Sequence, residues 1–226
     1  MKNTTVGMHA LVASAIALAM SFGTPTQAAV RLGFEIGANV SSLGYENLDA
    51  ISFITSHWDP GSRTSLTGGT SLEFPLRRRF SVMTGLRYVQ QGNRVKFDFP
   101  GSQPVTGEFR IAQHYLAVPL LLAFRPVPSR RFSLAAGPEG AVLLNGKIFT
   151  DYSPSGGAST SDSITRRLER ANLSLDVETS LEFPARNHFG SVILRYTHGL
   201  VDVEKKADWG VAWKTRGVEG LVGMRW

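Results

Sequence analysis

The stretch NLSLDVETSLEF, residues 172–183, alternates polar and non-polar side chains over its whole length. Leu173, Leu175, Val177, Thr179, Leu181 and Phe183 occupy one set of positions, and Asn172, Ser174, Asp176, Glu178, Ser180 and Glu182 occupy the other. Successive side chains of a β-strand point to opposite faces, so this period of two puts one set on each face. A helix, with about 3.6 residues per turn, would mix the two sets. The stretch is therefore predicted to be a β-strand with one apolar and one polar face.

The same alternation recurs along the chain, first in VRLGFEIGANVS at residues 30–41. Such segments, separated by turn signals, predict eight strands at residues 30–41, 64–74, 80–96, 108–124, 132–150, 170–183, 188–200 and 215–226. Three connections are tight (75–79, 125–131 and 184–187), and four are longer and polar (42–63, 97–107, 151–169 and 201–214). This alternation of connection lengths is typical of barrels whose two ends face different compartments. The predicted fold is all-β, an eight-stranded antiparallel up-and-down β-barrel with both termini at the tight-turn end.

Alternation alone does not show which face of the barrel points inward. A soluble lipocalin-like barrel encloses its apolar face around a ligand, whereas a transmembrane barrel turns that face towards lipid. Six aromatic residues of the apolar face lie beside the tight turns, as expected of a girdle at a membrane interface: Phe74, Phe80, Phe124, Phe132, Phe183 and Trp226. We therefore predict a transmembrane barrel, with a periplasmic lipocalin-like binding barrel as an alternative.

The polar face carries charged residues in the middle of the strands. They are Arg31, Glu35, Glu73, Arg87, Glu139, Asp176, Glu178, Glu182, Arg195, Glu219 and Arg225. Inside a transmembrane barrel these groups are expected to form Arg–carboxylate pairs, because an unpaired buried charge is costly. Eight strands enclose a space that side chains fill, so at most a narrow pore is expected.

The N-terminal segment has the features of a secretory signal peptide. Lys2 precedes an apolar stretch at residues 10–22, and the small residues of Thr26-Gln27-Ala28 favour cleavage after Ala28. Residues 1–28 are therefore predicted to be a signal peptide and residues 29–226 the exported barrel domain. The longest apolar run of this domain, residues 116–124, is interrupted by Pro119 and is too short for a membrane helix.

The composition excludes several functional classes. The 226 residues include no Cys, which removes disulfide scaffolds, thiolate metal sites and Cys nucleophiles. The balance of 24 Lys and Arg against 18 Asp and Glu is only modestly basic, so no nucleic-acid partner is expected. The acidic residues outside the strands are scattered, and no Gly-rich loop opens a helix, so no metal or cofactor is predicted.

Five stretches carry a resemblance to a known family. They are LGFEIGANVSSL (32–43), SLEFPLRRRFSVMTGLRYVQQG (71–92), YLAVPLLLAFRP (115–126), FSLAAGPEGAVLL (132–144) and VEGLVGMRW (218–226). Together they resemble the outer membrane β-barrel family often called porin-like or PorT-like. The resemblance implies an eight-stranded barrel in a bacterial outer membrane, but little about activity, since one scaffold carries many functions. The alternating C-terminal strand ending in Trp226 resembles the signal read by the outer-membrane assembly machinery.

An enzyme that modifies lipid A is the main functional alternative. His198 is the most attractive general base, with Ser41 or Ser42 as the nucleophile at a similar height. No motif links these residues, so the favoured prediction is a non-enzymatic, monomeric envelope protein that contacts outer membrane lipids. Its specific role is assigned to four extracellular loops, whose ligand the sequence does not identify. The third loop, rich in Ser and Gly over residues 153–163, is predicted to be flexible.

Overall fold

A computed structural model describes residues 30–46, 58–99, 105–127, 131–153, 159–166, 168–186, 188–203 and 212–226. The predicted signal peptide, residues 1–28, lies outside these ranges. The strands are β1 (Arg31–Glu46), β2 (Trp58–Arg77), β3 (Phe80–Phe99), β4 (Val105–Phe124), β5 (Phe132–Ser153), β6 (Ser159–Ser163), β7 (Ala171–Ala185), β8 (His188–Gly199) and β9 (Ala212–Arg225). In these ranges we find no helix of the length and apolarity that a membrane crossing requires.

Eight of the strands form a closed antiparallel ring. Each pairs with its neighbour in sequence, β5 pairs with β7, and the ring closes where β1 pairs with β9. At this closure Gly33 lies opposite Arg225 and Val40 lies opposite Val218. The predicted eight-stranded antiparallel barrel is confirmed. The short strand β6 stands outside the ring, paired with the outer end of β5.

The two faces of each strand differ sharply in exposure. Along β7 the polar set is buried, with Asp176 fully inaccessible, whereas Leu175 and Leu181 on the other face are 44% and 55% exposed. The same holds on β8, where Arg195 is buried between the exposed Leu194 and Tyr196. Apolar side chains thus face outward and charges face inward, which is the arrangement of a membrane barrel. The lipocalin-like alternative, which needs the apolar face inside, is wrong.

The outer ends of several strands extend further than the alternation predicted. β2 begins at Trp58 rather than residue 64, β3 continues to Phe99, and β4 already begins at Val105. The segment Ser159–Ser163, predicted to be flexible loop, forms β6 instead, with Thr160 opposite Thr150. The prediction failed here because these residues lie beyond the apolar outer face, where hydrogen-bonded strands no longer need a lipid-facing pattern.

Candidate functional site

The interior at the tight-turn end holds a cluster of ion pairs. The guanidinium of Arg31 contacts Glu73 at 3.2 Å and Glu182 at 3.0 Å. Arg225 donates to Glu182 at 3.0 Å. Arg125 contacts Glu73 at 2.8 Å and lies 3.6 Å from Glu182. Three arginines thus hold two nearly inaccessible carboxylates at this end of the barrel.

Arg87 is one centre of the middle interior. Its side chain is 1% exposed and forms ion pairs with Glu139 and Glu219, with Glu35 at 3.5 Å and with Asp176 at 3.4 Å. These four carboxylates come from four different strands, so one side chain ties β1, β5, β7 and β9 to β3. Such a group is held by its partners, because a guanidinium with no partner is costly in a site that excludes water.

Arg195 is the second centre, and strand register accounts for its partners. It lies on β8 directly opposite Glu178 of β7 and Glu219 of β9. Its guanidinium is 2.6 Å from Glu178, 3.3 Å from Glu219 and 3.1 Å from Glu35. Arg225 links this level to the lower cluster through a 3.8 Å contact with Glu178. The charged interior is therefore one connected network.

A glycine on β2 lies beside this network, where two backbones approach each other closely. Gly69 of β2 lies between Glu35 of β1 and Arg87 of β3 in the register. A Cβ at Gly69 would lie 2.3 Å from the backbone oxygen of Leu86 and 2.7 Å from the Cα of Arg87. Glycine is needed at this position because two backbones approach each other closely.

The outer half of the interior contains an apolar cluster among buried polar side chains such as Asn39, Gln91 and Gln113. Its core is formed by Leu43, Val89, Ile111, Tyr115, Ala117, Ala141, Leu143, Leu168 and Val203. Leu168 and Val203 belong to connections, not barrel strands, and each is 2% exposed. Backbone hydrogen bonds fix them, from Leu143 N to Arg170 O and from Glu169 N to Val203 O, each at 2.8 Å. Leu168 of the connection after β6 and Val203 of the connection after β8 therefore lie in the barrel mouth.

Residues 22–205 match the family model described as outer membrane protein beta-barrel domain. The chain belongs to this outer membrane β-barrel family. The match supports the resemblance at family level, whereas the narrower PorT-like relationship stays a prediction. The protein is accordingly a barrel of the bacterial outer membrane, as its outward apolar face requires.

Three solved structures align with most of this chain at low sequence identity. Ail of Yersinia pestis is 16% identical, with 87% of this chain and 98% of that chain covered and a TM-score of 0.39. Neisserial surface protein A is 13% identical, with 86% and 95% covered and a TM-score of 0.43. OprG of Pseudomonas aeruginosa is 13% identical, with 88% and 96% covered and a TM-score of 0.38. No protein of curated function gives a significant match.

The structure brings all eleven interior charges named from the sequence into this outer membrane barrel's network, each within 4.0 Å of an opposite charge. Sequence reasoning missed Arg125, which was assigned to a tight connection. The alternation could have predicted its position, because Ala123 points inward and a residue two positions further along a strand points the same way. It also missed Leu168 and Val203, because loop residues carry no strand periodicity.

The apolar outer surface of the barrel ends at a defined level. At the tight-turn end Phe74, Phe80, Phe132, Phe183 and Trp226 are exposed, and Phe124 packs on Phe80 with ring centroids 5.1 Å apart. At the other end, among the strand side chains whose exposure the structure describes, the last exposed apolar ones are Val40, Leu66, Tyr88, Leu116, Leu144, Leu173, Tyr196 and Val218. Next outward on four strands are Ser42, Gln90, His114 and Arg216. We call the surface between these limits the apolar band.

The residues considered for catalysis do not meet. Ser41 points into the barrel, where its hydroxyl donates to Gly92 O at 3.1 Å and accepts from Gly92 N at 3.0 Å. His198 lies two residues after Tyr196 on β8, so both side chains point outward. The Nδ1 of His198 is 3.4 Å from the hydroxyl of Tyr196. Ser42 and His198 both lie opposite Arg216, so they are separated by two strand spacings, or roughly 9–10 Å. Neither serine is within hydrogen-bond reach of the imidazole.

No metal centre is found in the part of the chain that the structure describes, where no group of three His, Cys, Asp or Glu side chains is arranged to hold an ion. The carboxylates of the middle interior instead face the guanidiniums of Arg87 and Arg195. The chemistry available to this interior is therefore electrostatic pairing, and its physical effect is to hold the strands together.

Proposed function

We propose that this protein is a closed, monomeric, non-enzymatic barrel of the outer membrane that acts through contacts at its extracellular end. The filled interior is the observation that carries the proposal. Ion pairs centred on Arg87 and Arg195 occupy the middle, and the apolar core that contains Leu168 and Val203 occupies the mouth. Eight strands leave little room beyond such side chains, so solute passage has no wide route.

The extracellular end supports a role in interaction. β2, β3, β4 and β5 extend beyond the apolar band, and β6 widens this wall at Ser159–Ser163. Their outward side chains there are largely charged, including Arg94, Glu108 and Arg110. The four loop tips (47–57, 100–104, 154–158 and 204–211) lie outside the described residues.

The position of the histidine argues against the lipid A-modifying alternative. A nucleophile needs a base within hydrogen-bond reach. Ser41 lies inside the barrel wall and His198 outside it, while Ser42 is separated from His198 by the strand that carries Arg216. A non-enzymatic role needs no such pairing.

Electrical recording tests the closed barrel. The protein, purified from the outer membrane of the producing cell, is inserted into planar lipid bilayers at neutral pH. We expect no stable current steps above the baseline of the membrane. The positive control is a channel-forming porin inserted into the same bilayers, which should give stable current steps. Stable open steps from the unmodified protein would overturn the proposal.

The final strand is proposed to be the contact with the assembly machinery. Its outward side chains Val218, Val222, Met224 and Trp226 form one exposed apolar row. Trp226 packs edge-on against Phe34, with ring centroids 5.7 Å apart, and its backbone N–H donates to Leu32 O. The residue that would be recognised before folding thus also closes the barrel against β1 afterwards.

A further inference from the structure

A basic groove lies on the outer wall just beyond the apolar band. It has a volume of about 330 Å³ and is lined by Ser62, Arg63, Thr64, Arg94 and Arg110. Three of its five lining residues are arginines, on β2, β3 and β4. Neither the interior network nor the proposed closed barrel uses any of them.

The height of the groove matches the polar part of the outer leaflet. On β2 the last exposed apolar residue is Leu66, and Arg63 follows only three residues further out. On β3 and β4, Arg94 and Arg110 each stand six residues beyond Tyr88 and Leu116. At a strand tilt of about 40°, the rise of about 3.4 Å per residue becomes about 2.6 Å along the barrel axis, so Arg63 lies roughly 8 Å and Arg94 and Arg110 roughly 16 Å beyond those apolar side chains, in the polar layer above the hydrocarbon. Arginine side chains are also long enough to reach down towards that boundary.

The arginines of the groove are placed against one another. Arg94 and Arg110 lie directly opposite in the register of β3 and β4, a disfavoured position for like charges. Glu108 is shared between them, 3.0 Å from the Nε of Arg94 and 3.4 Å from the Nε of Arg110. Asp151 holds Arg110 at 2.6 Å. Two carboxylates therefore serve these two arginines, and neither of the two pairs with the third arginine among the described residues.

Arg63 is that third arginine. Its Nη1 donates to the backbone carbonyl of Ile111 at 3.0 Å, and in the part of the chain that the structure describes it pairs with no carboxylate. Partial burial lowers the pKa of Arg63, and the neighbouring Arg110 guanidinium lowers it further. The pKa of His114 is also lowered, first by burial and then by the positive charges of Arg63 and Lys147. An arginine stays charged in proteins, so the groove keeps an excess of positive charge.

We propose that this groove binds a phosphate group of the phosphorylated glycolipid, lipopolysaccharide, that forms the outer leaflet. Guanidiniums bind phosphate through paired, charge-assisted hydrogen bonds, and three of them converge here. The groove is larger than one phosphate, which leaves room for part of the attached sugar. The neighbouring Tyr88 and His114 are of the amphipathic kind found where protein meets the lipid interface. The proposal rests on the outer-membrane location and is independent of whether the interior conducts.

Titration with defined glycolipids tests the groove. The full-length gene is expressed, and the folded protein is extracted from the outer membrane and titrated with lipopolysaccharide, with chemically dephosphorylated lipopolysaccharide, and with inorganic phosphate. Variant one carries Arg63→Gln, Arg94→Gln and Arg110→Gln. The matched control carries Arg77→Gln, Arg78→Gln and Arg79→Gln, which removes the same charge from exposed positions at the tight-turn end.

We expect the groove variant to bind lipopolysaccharide about tenfold or more weakly, since one charge-assisted hydrogen bond is worth that factor. The control should change by less than about twofold, as expected of screened surface charges. Dephosphorylated glycolipid should bind as weakly to the wild type as intact glycolipid binds to the variant. Inorganic phosphate should compete only weakly, because it lacks the acyl chains beside the apolar band.

Several results would overturn the proposal. Equal affinity of the wild type and the groove variant would do so, as would an equal loss in the control. If inorganic phosphate bound as tightly as lipopolysaccharide, the proposal that the bound phosphate belongs to a glycolipid would be contradicted. If the triple variant does not reach a heat-modifiable folded state, Arg94→Gln alone is measured, since its side chain is 49% exposed and its loss leaves the sheet intact. No loss of affinity in that variant would then count against the groove.

Discussion

Arg195 and Glu219 lie directly opposite each other on β8 and β9, with 3.3 Å between the guanidinium Nη1 and the carboxylate Oε2. The same Glu219 pairs with Arg87, which comes from β3. One carboxylate therefore bonds to a neighbouring strand and to a strand across the barrel. This shared carboxylate couples β3, β8 and β9 through the interior.

Arg87→Met should strongly destabilise the barrel. The change leaves Glu139, Glu219 and their neighbours without their common counter-charge, and breaking a buried pair in this way costs about 3–5 kcal/mol. The measurement is the urea midpoint for loss of the heat-modifiable folded band. Arg79→Met, at an exposed turn position, is the control and should leave the midpoint nearly unchanged. Equal midpoints for the two variants would show that the network contributes no stability.

Gly69→Ala should destabilise the barrel by about 1–3 kcal/mol, the usual cost of overpacking. The added Cβ would lie 2.3 Å from the Leu86 carbonyl oxygen, so the β2 and β3 backbones would have to separate. Gly140→Ala is the matched control, because a Cβ there meets no atom within 4 Å. Thermal unfolding of the two variants in the same detergent measures the difference. A Gly69→Ala protein as stable as Gly140→Ala would contradict the close approach.

Leu168→Ala should reduce stability by about 2–4 kcal/mol, the typical cost of removing a buried leucine side chain. Leu168 is 2% exposed beneath the mouth of the barrel, so the lost contacts are not replaced by solvent or lipid. Leu200→Ala, at a position that is 48% exposed, serves as the control and should cost less than about 1 kcal/mol. Chemical denaturation compares them. Similar small effects would indicate that the connection after β6 is not seated in the mouth.

Trp226→Ala should impair assembly of the barrel in the cell more than it lowers the stability of the purified protein in detergent. The side chain is 44% exposed, so its loss removes ring contacts with Phe34 and His188 but no buried core. We expect less heat-modifiable protein in isolated outer membranes and more unfolded protein in the periplasm. Trp226→Phe keeps an aromatic end and should restore assembly. If purified Trp226→Ala instead refolds in detergent with a much lower urea midpoint, the assembly role is not needed to explain the defect.

His198→Ala should leave the lipid A of the host unchanged. The imidazole has no serine partner among Ser41 and Ser42, since one is inside the barrel and the other lies beyond Arg216. Mass spectrometry of lipid A from cells producing the wild type, the variant and no protein provides the comparison. A species present with the wild type and absent from both other samples would establish the enzymatic alternative.

Much of the barrel could be predicted because β-structure at a lipid boundary leaves a local signal. The alternation of Leu173 to Phe183 with polar residues assigns each side chain of β7 to a face without knowledge of the other strands. The tight turns follow from the same pattern, since β2 ends at Arg77 and β3 begins at Phe80. Beyond the lipid, strands no longer need alternating apolar side chains. The sequence of Ser159–Ser163 therefore predicts a loop, although these residues form β6.

Alternation predicted the eight barrel strands and the two faces of each, and it named eleven of the interior charges but not Arg125. The pairing of those charges could not be predicted, because closing the ring joins residues far apart in the chain, such as Arg31 and Glu182 at 3.0 Å. The tertiary structure also decided that Leu168 and Val203 fill the mouth and that Arg63 joins Arg94 and Arg110. The physical reason is that periodicity reports the environment of one strand, whereas a pair, a plug or a groove depends on the register and curvature that several strands share.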